Sequence, residues 1–215
     1  MNMQKIFNKT IKLFWIFIIG SVIGYIVEML VAFVQEGHFV SRQGLLYGPF
    51  VQVYGIGMII YYIIVPKISG GNLKIFAYSA LVGGTVEYIC SLVQEKCFGT
   101  ISWDYSNLWF NIMGRTSLLH CIYWGIAGVI FIKLIYPQIE KIDVLIEKNK
   151  FRMATYFIAI FMVYNITISC LAAQRQNERF KNIKADSSLD IYLDKNYPDN
   201  VMSKVYSNTI IKSKN

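Results

Sequence analysis

Long apolar runs constrain this chain more than any other feature. They fall at Leu13 to Val34, Phe50 to Val65, Ile75 to Val93, Ser117 to Tyr136 and Met153 to Ala173. A helix crossing a hydrocarbon core of about 30 Å needs about 20 residues. The second run reaches that length when extended back through Leu45, Leu46 and Tyr47, with Pro49 tolerated near a helix start. Unbroken apolarity is not the alternating pattern of a membrane barrel, so the spans are expected to be helices. With 55% hydrophobic and 16% charged residues in 215, too little polar surface remains for a water-soluble globule. The expected fold is an all-α polytopic membrane protein, with spans at about 13–34, 45–65, 75–93, 117–136 and 153–173 in a domain of residues 1–173. A polar tail, 174–215, follows.

Lys5, Lys9 and Lys12 before an apolar run superficially resemble a secretory signal. The run is too long for one and lacks a small-residue cleavage site, so it reads as an uncleaved first span. With the N-terminus inside, that side holds ten basic residues: Lys5, Lys9, Lys12, Lys67, Lys74, Lys133, Lys141, Lys148, Lys150 and Arg152. The opposite loops hold three, Arg42, Lys96 and Arg115, which favours a cytoplasmic N-terminus in a multi-pass cell-membrane protein. Five spans then put the tail outside, with Arg175, Arg179, Lys181 and Lys184 close to the last helix, against that rule. The net charge of +8 is met by anionic lipid headgroups without nucleic acid.

One glutamate stands well inside the first run, in "GYIVEMLVAFVQE". A second stands in "GGTVEYICSLVQE". Gly24, Glu28, Val34, Gln35 and Glu36 recur as Gly83, Glu87, Val93, Gln94 and Glu95, each 59 residues on (28 to 87, 36 to 95). The chain therefore reads as a duplicated helical hairpin, 13–65 and 75–136, whose copies run parallel. A carboxylate at such depth costs roughly 2.5 to 3.5 kcal/mol on insertion scales, so it should face a partner or water. Arg42, Arg115 and His120 are the candidate partners, with Glu28 to Arg42 and Glu87 to Arg115 the first pairs to consider. Either the glutamates form structural ion pairs, or they are simply protonated because burial without a partner raises a carboxyl pKa, or they line a polar path for a solute or ion. His120, alone on an apolar helix, also reads as a hydrogen-bonded packing residue. Glu36 with His38, and Glu95 with Cys97, do not have the spacing of a zinc signature, and Cys90, Cys97, Cys121 and Cys170 show no CxxC. No metal and no cofactor are expected.

Gly20 and Gly24 form a GxxxG, and Gly125 and Gly128 share a helix face, so helices can approach closely there. Between the fourth and fifth spans, "PQIEKIDVLIEKNKF" spaces Ile139, Ile142 and Ile146 at helical intervals among charges. That is an amphipathic helix, serving either as a connector on the bilayer or as a coupling helix that docks an ATPase. The sequence contains no GxxxxGK[ST], no G-x-S-x-G and no H-E-x-x-H, so no enzyme activity is expected of it.

"EGHFVSRQGLLYGPFVQVYGIG", "EYICSLVQEKCFGTISWDYSNLWFNIMGR", the later "WG", and the tail segments "AAQRQNERF" and "LDKNYPDN" resemble the putative ABC transporter permease family called type IV or CmpB-like. Gln52 departs from that pattern, which has proline two residues before Tyr54. The resemblance implies a membrane-spanning permease subunit, energised by a separate ATPase and associated with lipids and further subunits. A non-transporting membrane scaffold or regulator is the alternative.

Overall fold

The computed structural model describes residues 3–212, so residues 1–2 and 213–215 of the two expected segments lie outside the described residues. Helices are α1 (Met3–Glu36), α2 (Gln52–Ile64), α3 (Asn72–Phe98), α4 (Leu118–Ile130), α5 (Tyr136–Ile139), α6 (Ile142–Ile146), α7 (Asn149–Phe180), α8 (Ser188–Asn196) and α9 (Asp199–Val205). A π-helical turn, Phe131–Ile135, joins α4 to α5. Pro137 accounts for it: proline has no N–H to donate back to the carbonyl of Lys133 and its ring crowds that carbonyl, so the helix widens. Two-residue strands pair β1 (Thr100–Ile101) with β4 (Ile210–Ile211), and β2 (Asn111–Ile112) with β3 (Thr116–Ser117).

Four helical stretches are long and apolar enough to cross a membrane: Met3–Glu36, Asn72–Phe98, Leu118–Ile146 and Asn149–Phe180. Outward faces such as Leu81, Phe157, Ile160 and Val163, each 67–70% exposed, suit contact with lipid. The second expected span is different. Helix α2 has 13 residues, about 20 Å of rise, and starts at Gln52 rather than near Leu45. Gly48 adopts φ +79° and precedes Pro49, which disfavours helix in the residue before it, so residues 45–51 stay irregular.

That irregular segment is nevertheless interior. Leu45 and Leu46 are buried, and α7 supplies the hydrogen bonds that a helix would have made internally. Asn165 of α7, fully buried, accepts from Tyr47 N–H at 3.1 Å and donates to Tyr47 C=O at 2.6 Å, while Ser169 accepts from Leu46 N–H at 2.9 Å. Non-helical backbone at the depth of a span is tolerated only when its polar groups are satisfied inside the protein, as here.

Helices α1 and α2 pack as one antiparallel pair, and α3 and α4 as another. Close approach depends on small residues. A Cβ on Gly24 would overlap the Tyr54 ring, and one on Gly83 would overlap Trp124. Gly55 likewise meets Phe17, Gly125 meets Phe76, Gly20 meets Met58, and Gly128 meets Ser79.

The connection after α4 folds back onto α1. Ile139, Ile142 and Ile146 are 2%, 6% and 2% exposed and pack with Ile11, Ile16 and Val65. They are therefore not available to dock an ATPase, which corrects their expected role: their periodicity marks a face turned toward this chain's own core. Val144 and Leu145 are the apolar residues the connection exposes. Lys12, expected as a cytoplasmic charge, is buried and pairs with Asp143 at 2.8 Å and Glu140 at 3.2 Å, fastening α1 to this connection.

At the other end of the bundle the polar tail is folded. Ser187 and Asp190 form a capping box on α8, satisfying donors at its first turn. Leu193, Tyr197 and Met202 pack on Leu46, Ile168 and Ala172. Arg175 of α7, 3% exposed, is clamped by Asp194 and Glu178, and Arg179 by Asp194 and Asp199. The tail therefore lies at the same end as the loops that carry Arg42 and Arg115, opposite Lys12 and the α5–α6 connection. Arg175 and Arg179, two of the four basic residues that conflict with the charge rule, are thus paired with Glu178, Asp194 and Asp199.

Arg175, then Arg179, hold the Asp194 carboxyl at about 2, below its ordinary 3.8. A depressed carboxyl contributes stability that is present above its unfolded value and lost as pH falls through the folded one. The clamp is thus expected to hold down to about pH 4 and loosen between about pH 4 and pH 2. A spin label at Ser203→Cys should gain mobility across that window, and Asp194→Asn should remove the transition. A spectrum unchanged down to pH 2 contradicts the clamp.

Candidate functional site

Glu28 and Glu87 occupy matching places on α1 and α3, and each takes its hydrogen bonds from neutral groups. Tyr54 donates to Glu28 Oε1 at 2.7 Å. Glu87, 6% exposed, accepts from Thr116 Oγ1 at 2.8 Å and from Tyr105 at 3.1 Å. Tyr105 reaches α3 because its loop is tightly built. Its N–H donates to Gly114 C=O, Trp103 donates to Arg115 C=O, and Asp104 accepts from the Ser106 N–H and hydroxyl. Those Ser106 bonds hold the Asp104 carboxyl below its usual range. Burial, followed by the nearby Glu87 and Glu28, pushes the Tyr105 phenol well above its ordinary value.

His120 lies against the same loop. Its ring stacks on Tyr105 with centroids 3.7 Å apart, and its Nδ1 lies 2.8 Å from Ser117 Oγ. It therefore packs the tyrosine that bonds Glu87 and is not itself bonded to either carboxylate.

The arginines have other partners than expected. Arg42 pairs with Glu36, and Arg115 with Glu95 and Ser91 Oγ. Helix geometry explains the difference. Glu28 and Glu87 each lie eight residues, about 12 Å, further from the helix end than Glu36 and Glu95, which sit where the loops begin. Among the described residues no cation pairs with Glu28 or Glu87. Nor do three or more His, Cys, Asp or Glu side chains gather as a metal cluster among the described residues.

A cavity of about 470 Å³ opens beside Glu28. Its walls are the 42–56 segment, the last turns of α3, and α7 from Ile166 to Gln176. Tyr206, Asn208 and Thr209 of the tail close one side. Burial pushes the Tyr206 phenol up to about 12. Sequence reasoning missed Gln52, Gln94 and the tail residues of this site. A signal did exist for the glutamines, which interrupt "PFVQVYG" and "SLVQEK" as Glu28 interrupts its own run. Nothing local marked the tail, whose approach depends on β4 pairing with β1 and on a single bridge between Arg42 and Tyr206.

Comparison with known proteins adds the family. A family model described as "Putative ABC-transporter type IV" matches residues 15–170, from within α1 through most of α7. No curated protein and no solved structure matches the chain. The matched region contains Glu28, Glu87, their tyrosine donors and both arginine pairs, and the chain is a membrane protein that belongs to the putative ABC-transporter type IV family.

Proposed function

We propose that this chain is a multi-pass permease subunit of the cell membrane, energised by a separate ATPase, and that Glu28 and Glu87 belong to its solute path. One observation carries the reading: among the described residues both carboxylates are met only by neutral donors, Tyr54 for Glu28 and Thr116 with Tyr105 for Glu87. A carboxylate within a span costs roughly 2.5 to 3.5 kcal/mol unless a partner or water meets it, and none of these donors brings a positive charge. Neutral donors leave the charge available to something that enters.

A duplicated hairpin supports the same reading. Phe17, Gly20 and Gly24 correspond by the 59-residue shift to Phe76, Ser79 and Gly83. Their contacts Gly55, Met58 and Tyr54 correspond to Gly125, Gly128 and Trp124 by a shift of 70 (55 to 125, 58 to 128, 54 to 124). Three helix contacts thus recur in two hairpins, with the extra loop length between them carrying Tyr105. Duplicated helical units around a central site are a common transporter plan. With so few spans, the subunit would complete a path together with further subunits.

The test separates folding from function. Glu28→Gln and Glu87→Gln keep shape and hydrogen-bonding capacity, so both are expected to accumulate normally while transport falls about tenfold or more, the equivalent of about 1.4 kcal/mol. Glu87→Ala, which strands Thr116 and Tyr105, should also reduce the amount of protein. Immunoblots, transport or growth of a deletion strain, and co-purification of an ATPase provide the readouts. Normal function in both glutamine variants would instead favour the scaffold reading.

A further inference from the structure

We infer that the cavity beside Glu28 binds a small organic cation, an ammonium-bearing molecule with an apolar or aromatic body, whose counter-ion is the Glu28 carboxylate. The inference rests on the transport reading only in naming a class of solute. Its test reads binding alone.

Charge comes first. Glu28 is the acidic residue and Arg42 the basic residue in the cavity wall, and Arg42 is already neutralised by Glu36. Glu28 Oε1 accepts from Tyr54, while Oε2 has no partner among the described residues. Glu87 adds a second carboxyl group behind Tyr105. The unbalanced charge of the wall is therefore negative, and a cation entering it meets the half-buried Glu28 carboxylate instead of adding an uncompensated charge.

Hydrogen-bonding capacity points the same way. Four amide nitrogens of the wall are used within the protein: Gln43 donates to Gly48 C=O, Gln52 to Gly44 C=O, Gln94 to Thr100 and Ser102, and Asn208 to Ser102 C=O. The side-chain oxygens of Gln52, Gln94 and Asn208 accept no hydrogen bond from the described residues, whereas that of Gln43 accepts from Ser41. With the second oxygen of Glu28, these three carbonyls are acceptors that match the N–H groups of an ammonium. Trp103 and Tyr105 add aromatic surface, and a cation over such rings gains further attraction. The volume suits a small molecule rather than a bare ion, which would need six or so oxygens closing on one point.

Two native cysteines, Cys90 and Cys170, line the cavity, whereas Cys97 is exposed outside it. The full chain in lipid nanodiscs would be treated with N-ethylmaleimide and each cysteine quantified by mass spectrometry. The probe is phenethylammonium, compared with phenylpropanol, phenylpropionate and sodium chloride at matched ionic strength. At twice its Kd the ammonium should slow labelling of Cys90 and Cys170 about threefold, because only the unoccupied fraction reacts, and should leave Cys97 unchanged. Glu28→Gln should lose the protection.

Equal protection by phenylpropanol would mean apolar filling, and equal protection by sodium chloride a salt effect. Either overturns the inference, as does undiminished protection in folded Glu28→Gln or none by phenethylammonium up to its solubility limit. If the variant fails to fold, the probe comparison on the unaltered chain decides. Binding without transport would discard the permease reading and keep the site, whereas transport without protection would discard the site alone.

Discussion

Asp194→Leu is expected to make the folded tail about a hundredfold more sensitive to trypsin, the effect of lowering its local opening energy by about 3 kcal/mol. The reason lies in what is left behind. Arg175 is 3% exposed, and Asp194 takes its Nε at 2.9 Å and its Nη2 at 3.0 Å, a bidentate bond of the strong kind. Leucine leaves that buried guanidinium with Glu178 alone. Arg179, by contrast, keeps Asp199 and the Tyr197 carbonyl. Asp199→Leu is the comparison, since Asp199 is 64% exposed and its loss should cost at most about 1 kcal/mol, or about fivefold in cleavage. Cleavage after Lys195 and Lys204 reads the opening directly. Equal sensitivity of the two variants would show that the buried arginine does not hold the tail. Because Tyr206, Asn208 and Thr209 close one side of the Glu28 cavity, Asp194→Leu should also speed labelling of Cys170.

What the sequence disclosed depended on the range of each interaction. The long apolar runs required only a count along the chain, and α1, α3, the α4 to α6 stretch and α7 appear where those runs predict. The second span was misjudged because apolarity alone extended it to Leu45. Gly44, Gly48 and Pro49 were the local evidence that the helix starts later. The carboxylates Glu28 and Glu87 were visible as isolated charges, but their donors were not. Tyr105 lies 18 residues from Glu87 through a loop whose path depends on Gly114 and Asp104, and Tyr54 reaches Glu28 across a helix pair. Nearness in sequence suggested the arginines instead, and the rise of the helix carries those to Glu36 and Glu95. Lys12 and Ile139, Ile142 and Ile146 share one history. A charge and an amphipathic stripe were each assigned to the surface, and the folding back of the α5 to α6 connection buries both.

Asn165→Leu is the second large effect, expected to destabilise the chain by about 2–5 kcal/mol, because it strands two backbone groups at once and each buried unpaired group costs about 1–3 kcal/mol. Side-chain hydrogen bonds between membrane helices average only about 0.6 kcal/mol, since the separated helices find other partners. Asn165 departs from that average because its partners are the N–H and C=O of Tyr47, in a stretch with no helix to take them back. Leucine keeps the branching of asparagine but is bulkier, so some overpacking at this fully buried position adds to the loss. Ser169→Ala, which removes one bond to Leu46 N–H, should cost about 1 kcal/mol. In detergent the first substitution should lower Tm by roughly 10 °C and the second by about 3 °C, at about 2–4 °C per kcal/mol for a chain of this length. Similar shifts for both would mean that packing of Leu45 and Leu46, not Asn165, holds the segment. The consequence reaches the cavity, whose wall includes Gln43, Gly44 and Leu45 of that segment. Loosening it should abolish protection of Cys90 by phenethylammonium even though Glu28 is intact, which separates the shape of the site from its charge.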